Sequence, residues 1–155
     1  MRIGIIILIF LLTFADGCVT DPTHPPVQLS VLPQIGSHFQ PAARPVHFEM
    51  TSSASLDPAY AVTLNGIDFV VAVSRDDVVR YIGTVDRRFS TPDGIHVGSS
   101  LSSVLAAGAA APLPEPGWGF HTALRSGWSG GFTNGTGLSE SPLPSNAEVV
   151  WIFRR

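Results

Sequence analysis

The segment that decides the fold spans residues 60–73 and reads YAVTLNGIDFVVAV. Two mainly apolar runs flank Asn65-Gly66, a dipeptide typical of two-residue hairpin turns because both residues tolerate a positive φ. In the second run, Ile67 to Val73, the odd-numbered and the even-numbered positions are both largely apolar. A strand with two apolar faces is usually covered on both sides. The segment therefore predicts a β-hairpin whose second strand lies inside a sheet.

Further strands are predicted on the C-terminal side of this hairpin. The polar turn Arg75-Asp76-Asp77 is followed by Val78 to Phe89, which reads as one or two strands with a break near Gly83. Three short aromatic-rich segments also have the length of strands; they cover residues 118–124, 128–133 and 149–153. Ser126-Gly127 separates the first two of these and indicates another hairpin turn.

Only one segment has the pattern of a helix. Ser99 or Ser100 can cap its N-terminus, and Gly108 can end it because glycine readily adopts the left-handed conformation. The apolar residues at helical spacing between these ends are Leu101, Val104 and Leu105. Strands combined with a single helix are typical of an α+β domain. We expect an antiparallel sheet of about five to six strands with one short helix packed on it, in a compact domain over residues 46–155.

The N-terminus has the features of an export signal. Arg2 precedes a short, almost wholly apolar run, Ile3 to Phe14. This run is shorter than the ~20 residues that span a bilayer as a helix. A positive start, a short apolar core and a small-residue exit predict a signal peptide over residues 1–17.

The exit of this run, Ala15-Asp16-Gly17-Cys18, resembles the lipobox of bacterial lipoproteins. In that family a peptidase cuts before a cysteine whose thiol carries a diacylglycerol. The resemblance implies a lipid on Cys18, contact with the membrane through that lipid, and a location on the periplasmic side of the bacterial cell envelope. A lone exposed thiol is a liability in an oxidising compartment, which also favours the lipid. The alternatives are an ordinary signal peptide cut after Gly17, giving a secreted soluble protein, and an uncleaved anchor.

Residues 18–45 form a proline-rich segment, with six prolines between Val19 and Pro45. Proline prevents a long helix and keeps the backbone extended. We expect a semi-rigid spacer that holds the domain off a membrane. The alternative is an N-terminal arm packed on the domain, for which the apolar side chains are Leu29, Leu32, Ile35 and Phe39.

Composition argues against several classes of function. The formal net charge at pH 7 is -3, and the nine positively charged residues are all arginine, so no basic surface for nucleic acid is predicted. A single cysteine cannot form an intramolecular disulfide, and it excludes a cysteine-based zinc site. The five histidines share no ligand spacing. We therefore expect no nucleic-acid partner, no metal site and no cofactor.

The segment from Phe89 to Gly108 resembles an element that recurs in small bacterial envelope domains. In those domains a strand ends in a Thr-x-x-Gly-Ile turn, and a glycine followed by Ser or Asp opens a short helix that ends in glycine. The corresponding residues here are Thr91, Gly94-Ile95, Gly98-Ser99 and Gly108. Such domains are similar to beta-lactamase-inhibitor protein and to the small lipoprotein of the outer-membrane barrel-assembly machinery. The resemblance implies a helical layer on an antiparallel sheet and a role in binding other proteins rather than in catalysis.

One motif points to catalysis. Residues 127–131, GWSGG, match G-x-S-x-G, which places the nucleophile of serine hydrolases on a strand-to-helix turn. No helical pattern follows Ser129, and the last histidine, His121, precedes this serine. The hydrolase fold needs its catalytic histidine after the serine. We interpret the match as accidental and expect no catalytic residue.

Aromatic residues concentrate in the last quarter of the chain. If the strands of this region pair, some of the rings share a face, and they form either a domain core or an exposed patch that grips a partner. For the second interpretation the candidate partner-binding residues are Trp118, Trp128 and Arg125. Strand alternation predicts that Trp118, Phe120 and Thr122 lie on one side.

Together these patterns favour a non-enzymatic lipoprotein of the bacterial cell envelope that binds an envelope protein or scaffolds an assembly. The sequence shows no convergent set of acid, base and nucleophile. Two alternatives stay open: a small envelope enzyme, such as a hydrolase with an unrecognised site, and a module that binds a small apolar molecule between sheet and helix.

Overall fold

The computed structural model describes residues 25–133 and 143–155. The predicted signal peptide over residues 1–17 and the predicted lipidation site at Cys18 lie outside the described residues. Within the described ranges, no helix has the length and apolar character needed to cross a membrane.

The described residues form nine strands and one helix. The strands are β1 Val27–Leu29, β2 His47–Ser52, β3 Ser55–Leu64, β4 Ile67–Val73, β5 Val79–Thr84, β6 Leu113–Glu115, β7 Gly119–Ala123, β8 Ser129–Phe132 and β9 Trp151–Arg154. The helix, α1, covers Leu101–Ala106 and lies between β5 and β6 in the chain. All nine strands belong to one sheet with the order β1-β3-β4-β5-β9-β8-β7-β6, and β2 also pairs with β3.

The β3–β4 hairpin confirms the prediction from residues 60–73. Asn65 and Gly66 have φ angles of 52° and 78°, and two successive positive φ angles are the mark of a type I′ turn. Leu64 pairs with Ile67 across this turn. Because β4 lies between β3 and β5, the second strand is an interior strand of the sheet.

The sheet is larger than predicted and is not purely antiparallel. Nine strands replace the expected five to six, and β1 runs parallel to β3. β1 and β6 have three residues each, so alternation over 4–8 residues cannot reveal them. β5 ends at Thr84, one residue after Gly83 and close to the predicted break, and no second strand follows between Thr84 and Phe89, all of which are described residues. The coarse expectation of a sheet with one short helix is correct, but the number of strands depends on pairings that local patterns do not show.

The described part of the predicted spacer, residues 25–45, lies against the sheet. β1 pairs with the C-terminal end of β3, and the Gly36 N–H donates to the Val79 carbonyl at 2.9 Å. The ring of Phe39 meets that of Tyr60 edge-on, with 6.1 Å between centroids. This part of the chain is a packed arm, because its apolar side chains find cover on the domain.

The sheet is apolar on both faces. One face, called here the helix face, carries α1 and the larger core, whose fully buried members include Val62, Val71, Ile82, Val104, Phe132 and Ile152. The opposite face, called the groove face, carries a smaller cluster formed by Ala59, Ala72, Tyr81 and Phe153, with Val70, Trp118 and Trp151 packed against it. The two apolar faces of β4 therefore serve two different clusters.

The helix α1 covers part of the helix face. Its N-cap is Ser100, whose side-chain oxygen accepts a hydrogen bond from the Ser103 N–H at 3.1 Å. Val104 is fully buried, whereas Leu105 is 43% exposed, so the apolar side of the helix is narrower than predicted. Gly108 follows the C-cap with a φ of 85°, as its predicted role at the helix end requires.

Candidate binding groove

The structure separates the residues predicted to grip a partner. Trp128 lies on the helix face, is 3% exposed, and its ring centroid is 4.8 Å from that of Phe89. Trp118 is half-buried and lies on the groove face. Arg125 is exposed, with its guanidinium close to Gly108. Because Trp118 and Trp128 lie on opposite faces of the sheet, they cannot form one patch.

Trp118 lies on the side opposite to Phe120, contrary to the predicted alternation. Its neighbours Gly117 and Gly119 have φ angles of 78° and 97°, in the region that favours glycine. The strand β7 begins only at Gly119, so the alternation starts after Trp118. Phe120 joins the core of the helix face, whereas the Trp118 ring contacts His121 on the groove face.

The Phe153 ring lies nearly parallel to each of two neighbouring aromatic rings on the groove face. The centroid of Phe153 is 5.8 Å from that of Tyr81 and 6.2 Å from that of Trp151, with interplanar angles of 23° and 24°. Two glycines make room for these rings. A Cβ at Gly83 would lie 2.6 Å from Tyr81 Cζ, and a Cβ at Gly131 would overlap the Trp151 indole. Rings that cover glycines in this way replace the missing side chains and help to fix the strand register.

The indole of Trp118 stands upright on these rings. It makes an angle of 84° with Phe153 and 86° with Trp151, the edge-to-face geometry that aromatic pairs favour. Its Nε1–H donates a hydrogen bond to the Met50 carbonyl at 3.1 Å. The guanidinium carbon of Arg155 lies 4.6 Å from its ring centroid, within the range of a cation–π contact. Several independent contacts therefore fix this ring.

A charge network holds Arg155 in place. Its Nη1 and Nη2 donate to Oε1 and Oε2 of Glu115 at 3.1 and 2.6 Å, the bidentate geometry that gives strong charge-assisted bonds. His121 Nε2 lies 3.0 Å from Glu115 Oε2. The hydrogen bond from Arg155 lowers the pKa of Glu115 from 4.5 to about 2, so this carboxylate is charged at any ordinary pH.

The two ends of the sheet meet above the groove face. The backbone N–H of Ser53, in the β2–β3 turn, donates to Glu115 Oε1 at 3.1 Å, and the Trp118–Met50 hydrogen bond joins the same two regions. β6 is the edge strand at one end of the sheet, and β2 pairs with β3 near the opposite end. The sheet therefore curls, and its concave side borders a groove of about 940 Å³.

Apolar side chains form most of the groove lining. Its floor is built from small residues on three neighbouring strands, Ala61, Val70 and Gly83, and its aromatic side from Trp118 and Trp151. The polar residues of the lining are His47, Glu49, Asp68, Tyr81 and Thr84. Ligand pockets commonly have about 300–1,000 Å³, apolar walls and a few polar groups, and this groove has these properties.

Tyr81 places a hydroxyl in the groove. The residue is 5% exposed, and its hydroxyl lies over Gly83. Burial raises the pKa of the phenol, and the charge of Glu49 raises it further. The group therefore stays protonated and can donate a hydrogen bond as well as accept one.

The hydrolase-like motif does not have the structure of a nucleophile elbow. Ser129 begins β8 and pairs with Phe153 of β9, so it lies within the sheet and not on a strand-to-helix turn. Within the described part of the chain, no group of three or more His, Cys, Asp or Glu side chains is placed to hold a metal ion.

Comparison with protein-family models, with curated proteins and with solved structures finds no match for this chain. The groove is therefore interpreted from its geometry alone. Sequence patterns did not single out Tyr81 as a site residue and placed Trp151 only among the aromatic residues. The one local signal is Gly83, two residues after Tyr81 and so on the same face of a strand. The pairing of Gly131 with Trp151 is a long-range contact that no local pattern reveals.

Proposed function

We propose that this chain is a non-enzymatic binding protein of the bacterial cell envelope whose groove holds a small, mainly apolar molecule. The proposal is carried by the groove itself, which has a volume of about 940 Å³, a mainly apolar lining and an aromatic side formed by Trp118 and Trp151. Pockets of this size and lining commonly hold small molecules. The Tyr81 hydroxyl adds a group that can form a hydrogen bond with a ligand.

The aromatic side of the groove is fixed before any ligand arrives. The Trp151 ring is held over Gly131, and Trp118 is held by Met50 and Arg155. Binding to side chains that are already ordered avoids about 0.5–1.5 kcal/mol of entropic cost per side chain. This rigidity supports a role in binding.

The proposed site differs from the one considered from sequence. The space between sheet and helix is filled by core side chains such as Val104 and Phe132, both 0% exposed. A ligand therefore finds room on the opposite face of the sheet. We therefore keep the interpretation as a small-ligand binding protein, but we place the proposed site in the groove and not between the sheet and the helix.

The resemblance of residues 15–18 to a lipobox supports a membrane anchor near the groove. Pro25 and Pro26 line the groove, and Cys18 precedes Pro25 by seven residues. A fully extended chain of this length spans at most about 25 Å. With a lipid on Cys18, the groove would stay close to the membrane surface.

Native mass spectrometry of the full-length chain purified from bacterial membranes tests both parts of the proposal. We expect a diacylglycerol on Cys18 and a small molecule bound non-covalently. Val70→Trp, which fills the groove, should lose the bound molecule, whereas Val31→Trp, at a residue that is 73% exposed and outside the groove, should keep it. A free Cys18 thiol would contradict the anchor. A bound molecule that persists in Val70→Trp would contradict the groove as its site.

Exposed apolar residues support a second candidate function, the binding of an envelope protein. Phe48 and Leu56 are 68% and 67% exposed. They belong to the β2–β3 hairpin, where Phe48 pairs with Pro58 and Leu56 with Met50, so these side chains lie on the same face. Adjacent exposed apolar residues are typical of protein contact sites.

Photo-crosslinking in intact bacteria tests this second candidate. A photoreactive phenylalanine analogue at residue 48 or 56 should give one discrete crosslinked protein. The same analogue at Arg75, an exposed residue outside the hairpin, should give none. Identical products from all three positions would contradict a specific contact.

A further inference from the structure

We infer that the groove selects flat, uncharged ring molecules that carry one hydrogen-bonding group, and that it disfavours anions. This inference rests on the proposed function, because it names the class of ligand that the same groove takes. It follows from the shape of the aromatic side, the position of the Tyr81 hydroxyl and the sign of the charges in the lining.

The aromatic side of the groove has the shape of a corner. The Trp151 ring lies against the sheet over Gly131, and the Trp118 ring stands at 86° to it with 6.0 Å between centroids. A flat ring that stacks on Trp151 presents its edge to Trp118. Both contacts have the offset-stacked or edge-to-face geometry that aromatic pairs favour, so one flat ligand satisfies both walls.

The floor beside this corner has room for a second ring. Ala61, Val70 and Gly83 come from adjacent strands and present small side chains or none. The Tyr81 hydroxyl lies over Gly83, at the edge of this floor. A polar group on the ligand at this point can form a hydrogen bond with the Tyr81 hydroxyl, since the phenol can both donate and accept.

The charges that line the groove are negative. Glu49 and Asp68 both contribute to the lining, which contains no arginine, and the chain has no lysine. His47 lies 2.8 Å from Glu49 Oε2 and neutralises it only when protonated. Arg155 stacks on Trp118, and its two terminal nitrogens, Nη1 and Nη2, already donate hydrogen bonds to the Glu115 carboxylate. An anionic ligand therefore meets the negative charges of Glu49 and Asp68, while the positive charge of Arg155 is already offset by Glu115.

Two fluorescent probes that differ by one charged group test the charge selection. N-Phenyl-1-naphthylamine is uncharged, and 8-anilino-1-naphthalenesulfonate has the same ring system with an added sulfonate. We expect the full chain to bind the uncharged probe at least about tenfold more tightly. The reason is that one repulsive contact between charges near a protein surface commonly weakens binding by at least this factor. Glu49→Gln should narrow this ratio by strengthening the binding of the sulfonate probe.

Substitution of Tyr81 tests the hydrogen bond. Tyr81→Phe keeps the ring and removes the hydroxyl, so the uncharged probe should bind about fivefold more weakly, as expected for one neutral hydrogen bond. Val31→Ala, at a residue that is 73% exposed and outside the groove, serves as the control and should leave the affinity unchanged. An unchanged affinity in Tyr81→Phe would overturn the assigned role of the hydroxyl.

Two competitors with the same number of carbons and one hydroxyl test the preference for a flat shape. 2-Naphthol is flat, whereas 1-decanol is a flexible chain. We expect 2-naphthol to displace the uncharged probe at a lower concentration. Stronger displacement by 1-decanol, or equal binding of the two fluorescent probes, would overturn the selectivity while the groove remained a binding site. Binding that persists unchanged in Val70→Trp would instead contradict the proposed function.

Discussion

The indole ring of Trp151 covers Gly131, its direct partner in the β8–β9 ladder. The ring lies flat against the sheet only because residue 131 has no side chain. Tyr81 lies over Gly83 in the same way, two residues along its own strand. The aromatic side of the groove therefore depends on two glycines as much as on the rings.

Gly131→Ala is expected to destabilise the protein by about 1–3 kcal/mol, because the added methyl overpacks against Trp151. In a Trp151→Ala background the same change should cost nothing or stabilise by up to about 1 kcal/mol, since glycine weakens a strand relative to alanine. Urea denaturation of the wild type, the two single variants and the double variant gives the coupling free energy between residues 131 and 151. Gly130→Ala is the control, since its Cβ would lie 3.4 Å from the Val149 side chain. Equal costs in both backgrounds would argue against the ring–glycine contact.

Tyr81→Phe is expected to reduce the stabilisation that a ligand of the groove gives, because Tyr81 lines the groove and the variant removes a hydroxyl that can bond to the ligand. Chemical denaturation of both proteins, without ligand and with a saturating ligand, measures this effect. The ligand should raise the unfolding free energy of the wild type by about 1 kcal/mol more than that of Tyr81→Phe. Equal stabilisation of both proteins would contradict a hydrogen bond between the ligand and this hydroxyl.

Glu115→Gln is expected to change how stability depends on pH. A carboxyl group whose pKa is lower in the folded state stabilises the fold above its unfolded-state pKa, and the contribution is lost as the pH falls through the folded pKa. For Glu115 this window extends from 4.5 down to about 2. The wild type should be more stable than Glu115→Gln at neutral pH, and the difference should vanish across this window. A difference in unfolding free energy that stays constant with pH would contradict the assigned role of Arg155.

Phe39→Ala is expected to destabilise the domain by about 2 kcal/mol, less than the 3–5 kcal/mol of a fully buried phenylalanine because this side chain is half-buried. The loss follows from its contact with Tyr60. Val31→Ala, at a residue that is 73% exposed, should change the unfolding free energy by less than about 0.5 kcal/mol. Equal, negligible effects of both substitutions would mean that the arm does not contribute to the fold.

Local patterns predicted the parts of the fold that neighbouring residues determine. Asn65-Gly66 makes a type I′ turn because both residues accept a positive φ. Ser100 caps α1 because its hydroxyl lies within reach of the Ser103 N–H. Each of these features depends on a few adjacent residues and on backbone sterics, so the sequence is sufficient to identify them.

Contacts between residues far apart in the sequence decided the features that local patterns did not predict. The three-residue strands β1 and β6 exist only because they pair with β3 and β7, and the side on which Trp118 lies depends on the positive φ angles of Gly117 and Gly119. The groove requires Gly131 to lie opposite Trp151 and the ends of the sheet to meet. The sequence by itself determined the turns, the helix cap and the apolar alternation of the central hairpin. Only the tertiary structure decided the register, which matters because a shift by one residue would turn every ring of a strand to the other face.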